Sequence, residues 1–128
     1  MDIGQIEGGF VMGLGYYLQE RMDYDHSGLL ESVGTWEYKP PLAQDIPAVF
    51  NVTLLAGAPN KAGILRSKAV GEPCIVLANS IFFAVKAAIA SARRDAGVHS
   101  YCSLDAPMTI DVRQEASMVS PSRFQMPL

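Results

Sequence analysis

Ala69-Val70-Gly71-Glu72-Pro73, followed by an apolar run that opens at Cys74 and reaches Ala92, marks the start of a long helix and decides how the rest of the chain is read. Proline has no backbone N–H to donate, suits the first helical position, and steers the residue before it out of helical dihedrals. The pattern therefore predicts Glu72 at the N-cap and a helix from about Pro73 to Arg94. Ile75, Leu77, Ile81, Phe82, Phe83, Val85 and Ile89 make that helix apolar almost all round, so it is expected to be the best-buried element. Asn79, Ser80 and Lys86 interrupt the run short of the roughly 18 unbroken apolar residues of a membrane span, which favours a core helix. Two readings of Glu72 stand side by side. Its carboxylate complements the positive end of the helix dipole, or, projected from a bend that Gly71 allows, it serves as a general base.

Towards the N-terminus, Ile3, Ile6, Phe10, Leu14 and Tyr17 recur at intervals of three and four, with Val11 and Leu18 widening the stripe. This is the period of an amphipathic helix, expected over Ile3 to Gln19. The same stretch holds Gly4, Gly8, Gly9, Gly13 and Gly15, each costing up to about 1 kcal/mol in a helix interior relative to alanine. Gly4/Gly8 and Gly9/Gly13 are four apart and share faces, so each pair forms a smooth strip. Such strips admit either a neighbouring helix at close range or a flat cofactor. Gln5 also has two readings. With Asp2 it completes an Asp-x-x-Gln capping box, and its amide, both donor and acceptor, suits a heteroatom-rich cofactor.

Between the two helices, Asp23-Tyr24-Asp25-His26-Ser27-Gly28 is a turn-forming cluster that predicts a hairpin-like excursion, and Tyr38-Lys39-Pro40-Pro41 to Asp45-Ile46-Pro47 predicts a proline-stiffened connection. Val49 to Leu55 alternates as a strand does, ending at Gly57-Ala58-Pro59-Asn60, and Gly63 to Ser67 reads as a second short strand or extended piece. Thr109 is a candidate cap for a short helix through Val112 to Ala116, with Ser117 to Leu128 trailing. The expected fold class is α+β, two main helices packed with a few strands.

At 128 residues the chain is long enough for one domain that buries roughly two-thirds of its unfolded surface. Hydrophobic residues make up 49% and charged residues only 18%, against about 25% charged in a typical globular domain, so part of the surface is expected to be covered by other protein. A net charge of −3, with Arg93-Arg94 and Lys86 as the one basic cluster, leaves no footprint for nucleic acid. Cys74 and Cys102 are too few for a disulfide framework, and a reducing, cytoplasmic setting is expected. Cys74 at a helix N-terminus is either an activated thiol or, the commoner outcome, a buried inert one. His26 and His99 lie far apart without companions at ligand spacing, so no metal held directly by side chains is expected. The opening Asp2 and glycines do not read as a signal peptide. Gly13-Leu14-Gly15 lacks the lysine of a phosphate loop and the third glycine of a dinucleotide fingerprint, and no nucleophile-elbow serine occurs.

Taken in order, Asp2-Ile3-Gly4-Gln5-Ile6-Glu7-Gly8-Gly9-Phe10-Val11-Met12-Gly13-Leu14-Gly15, Trp36-Glu37-Tyr38-Lys39-Pro40-Pro41, Phe50 to Leu55, Pro59-Asn60-Lys61, Ser67 to Pro73, Ser80 to Ala84 and Leu104-Asp105-Ala106-Pro107 resemble the molybdenum hydroxylases, the xanthine dehydrogenase and aldehyde oxidase family. The resemblance implies that residues 1–128 are a C-terminal fragment of a molybdopterin-binding catalytic domain, inactive alone, from a longer polypeptide that carries 2Fe-2S clusters and FAD elsewhere and acts as a homodimer. It implies a molybdenum–molybdopterin cofactor, an aldehyde or N-heterocycle as substrate, and water as the oxygen source. Glu72 matches the family's catalytic glutamate, the base that takes the proton of the attacking oxygen, and Gln5 matches the glutamine that hydrogen-bonds near the metal's ligands. Met12, and the wording of Trp36-Glu37-Tyr38, depart from the xanthine dehydrogenases and lean toward the aldehyde-oxidase-like branch. Cys74 replaces the residue that commonly follows Gly-Glu-Pro, which bears on packing beside Glu72. The alternatives are a purine dehydrogenase fragment and a structural module that kept the fold without the chemistry.

Overall fold

A computed structural model describes residues 1–119. Four α-helices form its frame: α1, Asp2–Leu18; α2, Glu72–Leu77; α3, Asn79–Asp95; and α4, Ile110–Ser117. Two single 3₁₀ turns, Ala43–Asp45 and Ile64–Arg66, lie in the long connection between α1 and α2.

The apolar stripe of α1 does what its period predicts in its second half. Leu14 and Leu18 enter a core with Ile89 of α3, Leu104 and Met108, and Tyr17, Phe82, Val85 and Val112 pack around it. Each such side chain removed from water contributes about 1.5–3 kcal/mol. The backbone N–H of Met108 donates to the carbonyl of Tyr17 at 2.8 Å, tying the segment before α4 to the end of α1. At the far end of α3, Gly97 adopts φ +79°, Val98 N–H bonds Arg93 O at 2.8 Å and Gly97 N–H bonds Arg94 O at 2.9 Å. This is the Schellman pattern, in which a left-handed glycine satisfies the last carbonyls. Thr109 stands at the N-cap of α4 as expected.

The glycines decide how α1 meets α2. A β-carbon at Gly9 would lie 2.9 Å from the carbonyl oxygen of Gly71, and one at Gly13 would lie 2.5 Å from that of Ile75. Later residues of α1 thus meet later residues of α2, so the two helices run in the same direction at a distance only glycine permits. The Gly9/Gly13 strip is a helix-packing surface.

Three expectations are corrected. Among the described residues there is no strand, so the α+β reading with a few strands does not hold; the β pairing found is one isolated antiparallel bridge, Tyr24 to Leu30, closing the Asp23–Gly28 excursion. Phe50 to Leu55 is free of helix, turn and bend but pairs with nothing among the described residues, and a strand is defined by its neighbour. Gly63 to Ser67 instead holds a 3₁₀ turn with Leu65 at φ 51°. The single helix from Pro73 to Arg94 is two, broken at Ala78, whose N–H is shared between the carbonyls of Cys74 and Ile75 at 3.2 Å each.

Nor is that helix pair the best-buried element. Only Cys74, Ala78 and Ile89 of it are buried. Glu72–Asp95 taken as one 24-residue stretch is long and apolar enough to cross a membrane by length and composition, with mean hydropathy 1.9, yet only 17% of its most apolar window is covered. Apolar composition does not say which face a helix buries, and here α1 and α4 cover one side. Residues 120–128, the end of the expected trailing segment, lie outside the described residues.

Candidate functional site

Glu72 is the first residue of α2, and the N-cap is Gly71, not Glu72 as expected. Gly71 has φ −79° and ψ −70°, a conformation open to any residue, and among the described residues nothing lies within 4 Å of where its β-carbon would be. Its glycine is therefore required by neither backbone strain nor contact with the described residues. Pro73 follows inside the first turn as predicted, and the Glu72 side chain is exposed beside the positive end of the helix.

Gln5 lies one turn ahead of Gly9 on the same face of α1. The capping box with Asp2 is not formed: Asp2 is itself helical, Met1 occupies the N-cap, and no side-chain cap bond is made. Gln5 spends its backbone N–H on the carbonyl of Met1 at 3.0 Å and leaves its amide exposed. Four residues are about 6 Å of helix rise, so with Gly9 against Gly71, Gln5 extends about that far past the start of α2. Gln5 and Glu72 thereby share one end of the parallel helix pair, without a hydrogen bond between them.

The two glycine strips part company at this end. Gly9 and Gly13 are filled by α2, whereas among the described residues nothing lies within 4 Å of the β-carbon positions of Gly4 and Gly8, the same open condition as Gly71. The end that carries Gln5 and Glu72 is therefore bordered by three glycines with free space above them. Cys74, the third residue of α2, is buried against Gly9 and its thiol donates to the carbonyl of Val70 at 2.9 Å. That is the inert outcome. Among the described residues no three His, Cys, Asp or Glu side chains gather into a metal-holding group.

Other contacts carry no sign in the sequence pattern. Tyr38 of the Trp36–Pro41 block donates to the carboxylate of Glu20, and Pro41 packs beside Gly15, so the block closes back onto the end of α1. Arg21 pairs with Asp111 at the start of α4 at 2.9 Å. Such pairs join residues too distant for any spacing rule to find. A cavity of about 260 Å³ between α3 and residues 98–104, lined by Lys86, Arg93, His99 and Tyr101 among others, includes neither Gln5 nor Glu72 in its lining.

Residues 1–47, which hold α1 with Gln5 and both glycine strips, match the family described as Molybdopterin cofactor-binding domain. The chain is 49% identical over 109 residues to the xanthine dehydrogenase of Drosophila pseudoobscura pseudoobscura and 49% identical over 109 residues to the xanthine dehydrogenase/oxidase of Gallus gallus. With the aldehyde oxidase 3 of Rattus norvegicus it shares 42% over 112 residues. The matches take in 85–88% of this chain and 8% of each of these relatives. The chain belongs to the molybdenum hydroxylases, the xanthine dehydrogenase and aldehyde oxidase family, and spans a small part of its members' length. The family's cofactor is molybdenum–molybdopterin, with iron–sulfur clusters and FAD belonging to the rest of the parent protein. Identity is higher toward the xanthine dehydrogenases, opposite to the lean taken from Met12 and Trp36-Glu37-Tyr38.

Proposed function

We propose that this chain contributes a general base, Glu72, and a cofactor contact, Gln5, to a molybdenum-dependent oxidoreductase that hydroxylates an electrophilic carbon of an N-heterocycle or aldehyde with oxygen from water. The observation that carries the reading is the parallel, glycine-locked contact of α1 with α2, which leaves Gln5 and Glu72 at one end beside the open space of Gly4, Gly8 and Gly71. Glycine there leaves room for a bulky, flat group, and the fit of the residues present to molybdopterin is good on that ground.

When bound, the cofactor supplies the redox centre that accepts the electron pair of the oxidised carbon. Gln5 offers two amide donors and a carbonyl acceptor to orient it. Glu72 accepts the proton of the water-derived nucleophile as the carbon–oxygen bond forms, and its place as the first residue of α2 leaves the side chain exposed at that end of the helix. Positioning of that carboxylate depends on α2 being held by α1, so the packing glycines serve the chemistry at one remove. The higher identity to xanthine dehydrogenases favours a purine over an aldehyde as substrate. The rest of the parent polypeptide supplies the remaining walls of the site and the homodimer contact, in a cytoplasmic setting.

Glu72→Gln in the full-length parent tests this. Turnover is expected to fall about 10²–10⁴-fold with molybdenum content retained, the usual contribution of a positioned base. Unchanged turnover would sink the role of Glu72. Comparing xanthine with an aromatic aldehyde on the same preparation separates the two substrate classes.

A further inference from the structure

We propose that the cavity between α3 and residues 98–104 is a binding site for a small organic anion, a phosphate monoester or carboxylate with an apolar body, built without Gln5 or Glu72. Its walls follow from the sequence. Lys86, Ala90 and Arg93 are spaced by four and three, so they share one face of α3. The left-handed turn at Gly97 that closes α3 reverses the chain and brings residues 98–104 back beside that face. Tyr101 thereby reaches Lys86, whose ammonium stands 5.5 Å from the centre of the ring. The volume of about 260 Å³ is below the roughly 300–1,000 Å³ of pockets for drug-sized ligands, so the occupant is small.

The charge in this cavity is of one sign. Lys86, Arg93 and Arg94, three of the ten Lys and Arg residues of a chain with net charge −3, line it together with His99, and among the described residues no Asp or Glu does. Arginines in a last turn complement the negative end of a helix, which accounts for Arg93 and Arg94 but not for Lys86, well inside α3. Arg93 is half-buried. Its Nη1 donates to the carbonyl of Ala116 at 3.1 Å and its Nη2 reaches the Ser100 hydroxyl at only 3.4 Å, while its buried Nε has no partner among the described residues. A guanidinium brings five N–H donors, and a charge taken partly out of water is costly unless a counter-charge meets it. A phosphate or carboxylate in the cavity supplies that counter-charge, with the Lys86 ammonium and the Arg94 guanidinium as further charge-assisted donors. Ile89 and Leu104, both buried, and the Tyr101 ring add apolar wall, which suits an organic body over a bare inorganic ion.

Titration calorimetry at low chloride, on the 128-residue chain and on the parent polypeptide, tests the site. Phenyl phosphate and benzoate present the two anionic groups on the same ring. At least one is expected to bind at a single site, about tenfold tighter than its ring-free counterpart, inorganic phosphate or formate, because the ring leaves water. The stronger of the two names the group the site prefers. Lys86→Gln and Arg94→Gln are each expected to weaken that ligand about tenfold, the loss of one charge-assisted bond, while Lys61→Gln, outside the lining, leaves it unchanged. Both changes spare the Arg93 bond to Ala116, and circular dichroism checks that each variant is folded. Failure of both ring ligands to bind the chain, or equal affinity in all three variants, overturns the proposal. Binding that depends on Lys86 and Arg94 in the chain but is missing from the parent overturns it too, since a carboxylate of the parent's own would then be the counter-charge. Calorimetry reads no turnover, so this result stands or falls apart from that of Glu72→Gln.

Discussion

Gly13 of α1 sits so close to Ala78, at the break between α2 and α3, that a β-carbon added at residue 13 would stand 2.6 Å from the Ala78 methyl and 2.5 Å from the carbonyl oxygen of Ile75. Neither neighbour is the end of a flexible side chain, so the helices must separate to admit it. Gly13→Ala is expected to destabilise the chain by about 1–3 kcal/mol, overpacking outweighing the roughly 1 kcal/mol that alanine adds to helix propensity. At Gly4 and Gly8 the β-carbon meets nothing within 4 Å, and alanine there is expected to stabilise by about 0.5–1 kcal/mol. Urea unfolding followed by circular dichroism reads both signs. In the parent, the same Gly4→Ala and Gly8→Ala changes are expected to lower molybdenum content, because the free space is the room assigned to the cofactor; full loading would remove that assignment.

The carboxyl of Asp111 is held down to about 2 from its ordinary 3.8, first by the Thr109 hydroxyl that donates to it and then by the Arg21 guanidinium at 2.9 Å. A folded-state value below the unfolded one contributes stability that is fully present above pH 3.8 and is lost as pH falls through about 2. Both partners are solvent-exposed, so the effect is small and screened by salt. Asp111→Asn is expected to lower the thermal midpoint slightly near pH 6, with the gap to wild type closing by about pH 2 and narrowing in 1 M salt. A gap that persists at acid pH would assign the effect to packing.

Met108 is fully buried in the core that joins α1, α3 and α4, while Met12 on α1 is 64% exposed. Met108→Ala is expected to cost about 2–5 kcal/mol, combining lost transfer free energy with the cavity left behind. Met12→Ala should stay within about 0.5 kcal/mol. Paired denaturant titrations of this chain distinguish a true core at Met108 from a loosely covered one, which would bring the two values together.

The sequence was most legible where structure is local. The three-and-four spacing of Ile3, Ile6, Phe10, Leu14 and Tyr17 located α1 to within a residue or two, Pro73 located the start of α2, and Thr109 located the N-cap position of α4, without a side-chain cap bond. Asp25 shows why a turn cluster is readable: its carboxylate accepts from Ser27 N–H at 2.8 Å and from Leu29 N–H at 2.9 Å, bonds made within four residues. What depended on distant chain was not legible. Alternation at Phe50 to Leu55 records a strand's preference but cannot say whether a partner is present, and the apolar faces of α2 and α3 do not reveal which side is covered. For the site, Gln5 and Glu72 were recognisable through family likeness, while their sharing one end of a parallel helix pair emerged only from the contacts of Gly9 and Gly13 with α2.

Val76 and Leu77 of α2 and Phe83 of α3 lie 60%, 64% and 59% exposed. Large apolar patches of this kind mark surfaces that associate with other protein. If the remaining polypeptide of the parent covers these residues, they are buried there. The double change Leu77→Lys and Phe83→Lys is therefore expected to act oppositely in the two settings. In this chain it removes apolar surface from water at little cost, so self-association falls in sedimentation velocity and binding of a hydrophobic dye weakens. In the parent it forces two charges into a covered interface, where an unpaired buried charge is expensive, and the thermal midpoint should drop by several degrees. A parent as stable as wild type would mean that this face of α2 and α3 stays in water there, and the low charge content of the chain would then need another cause.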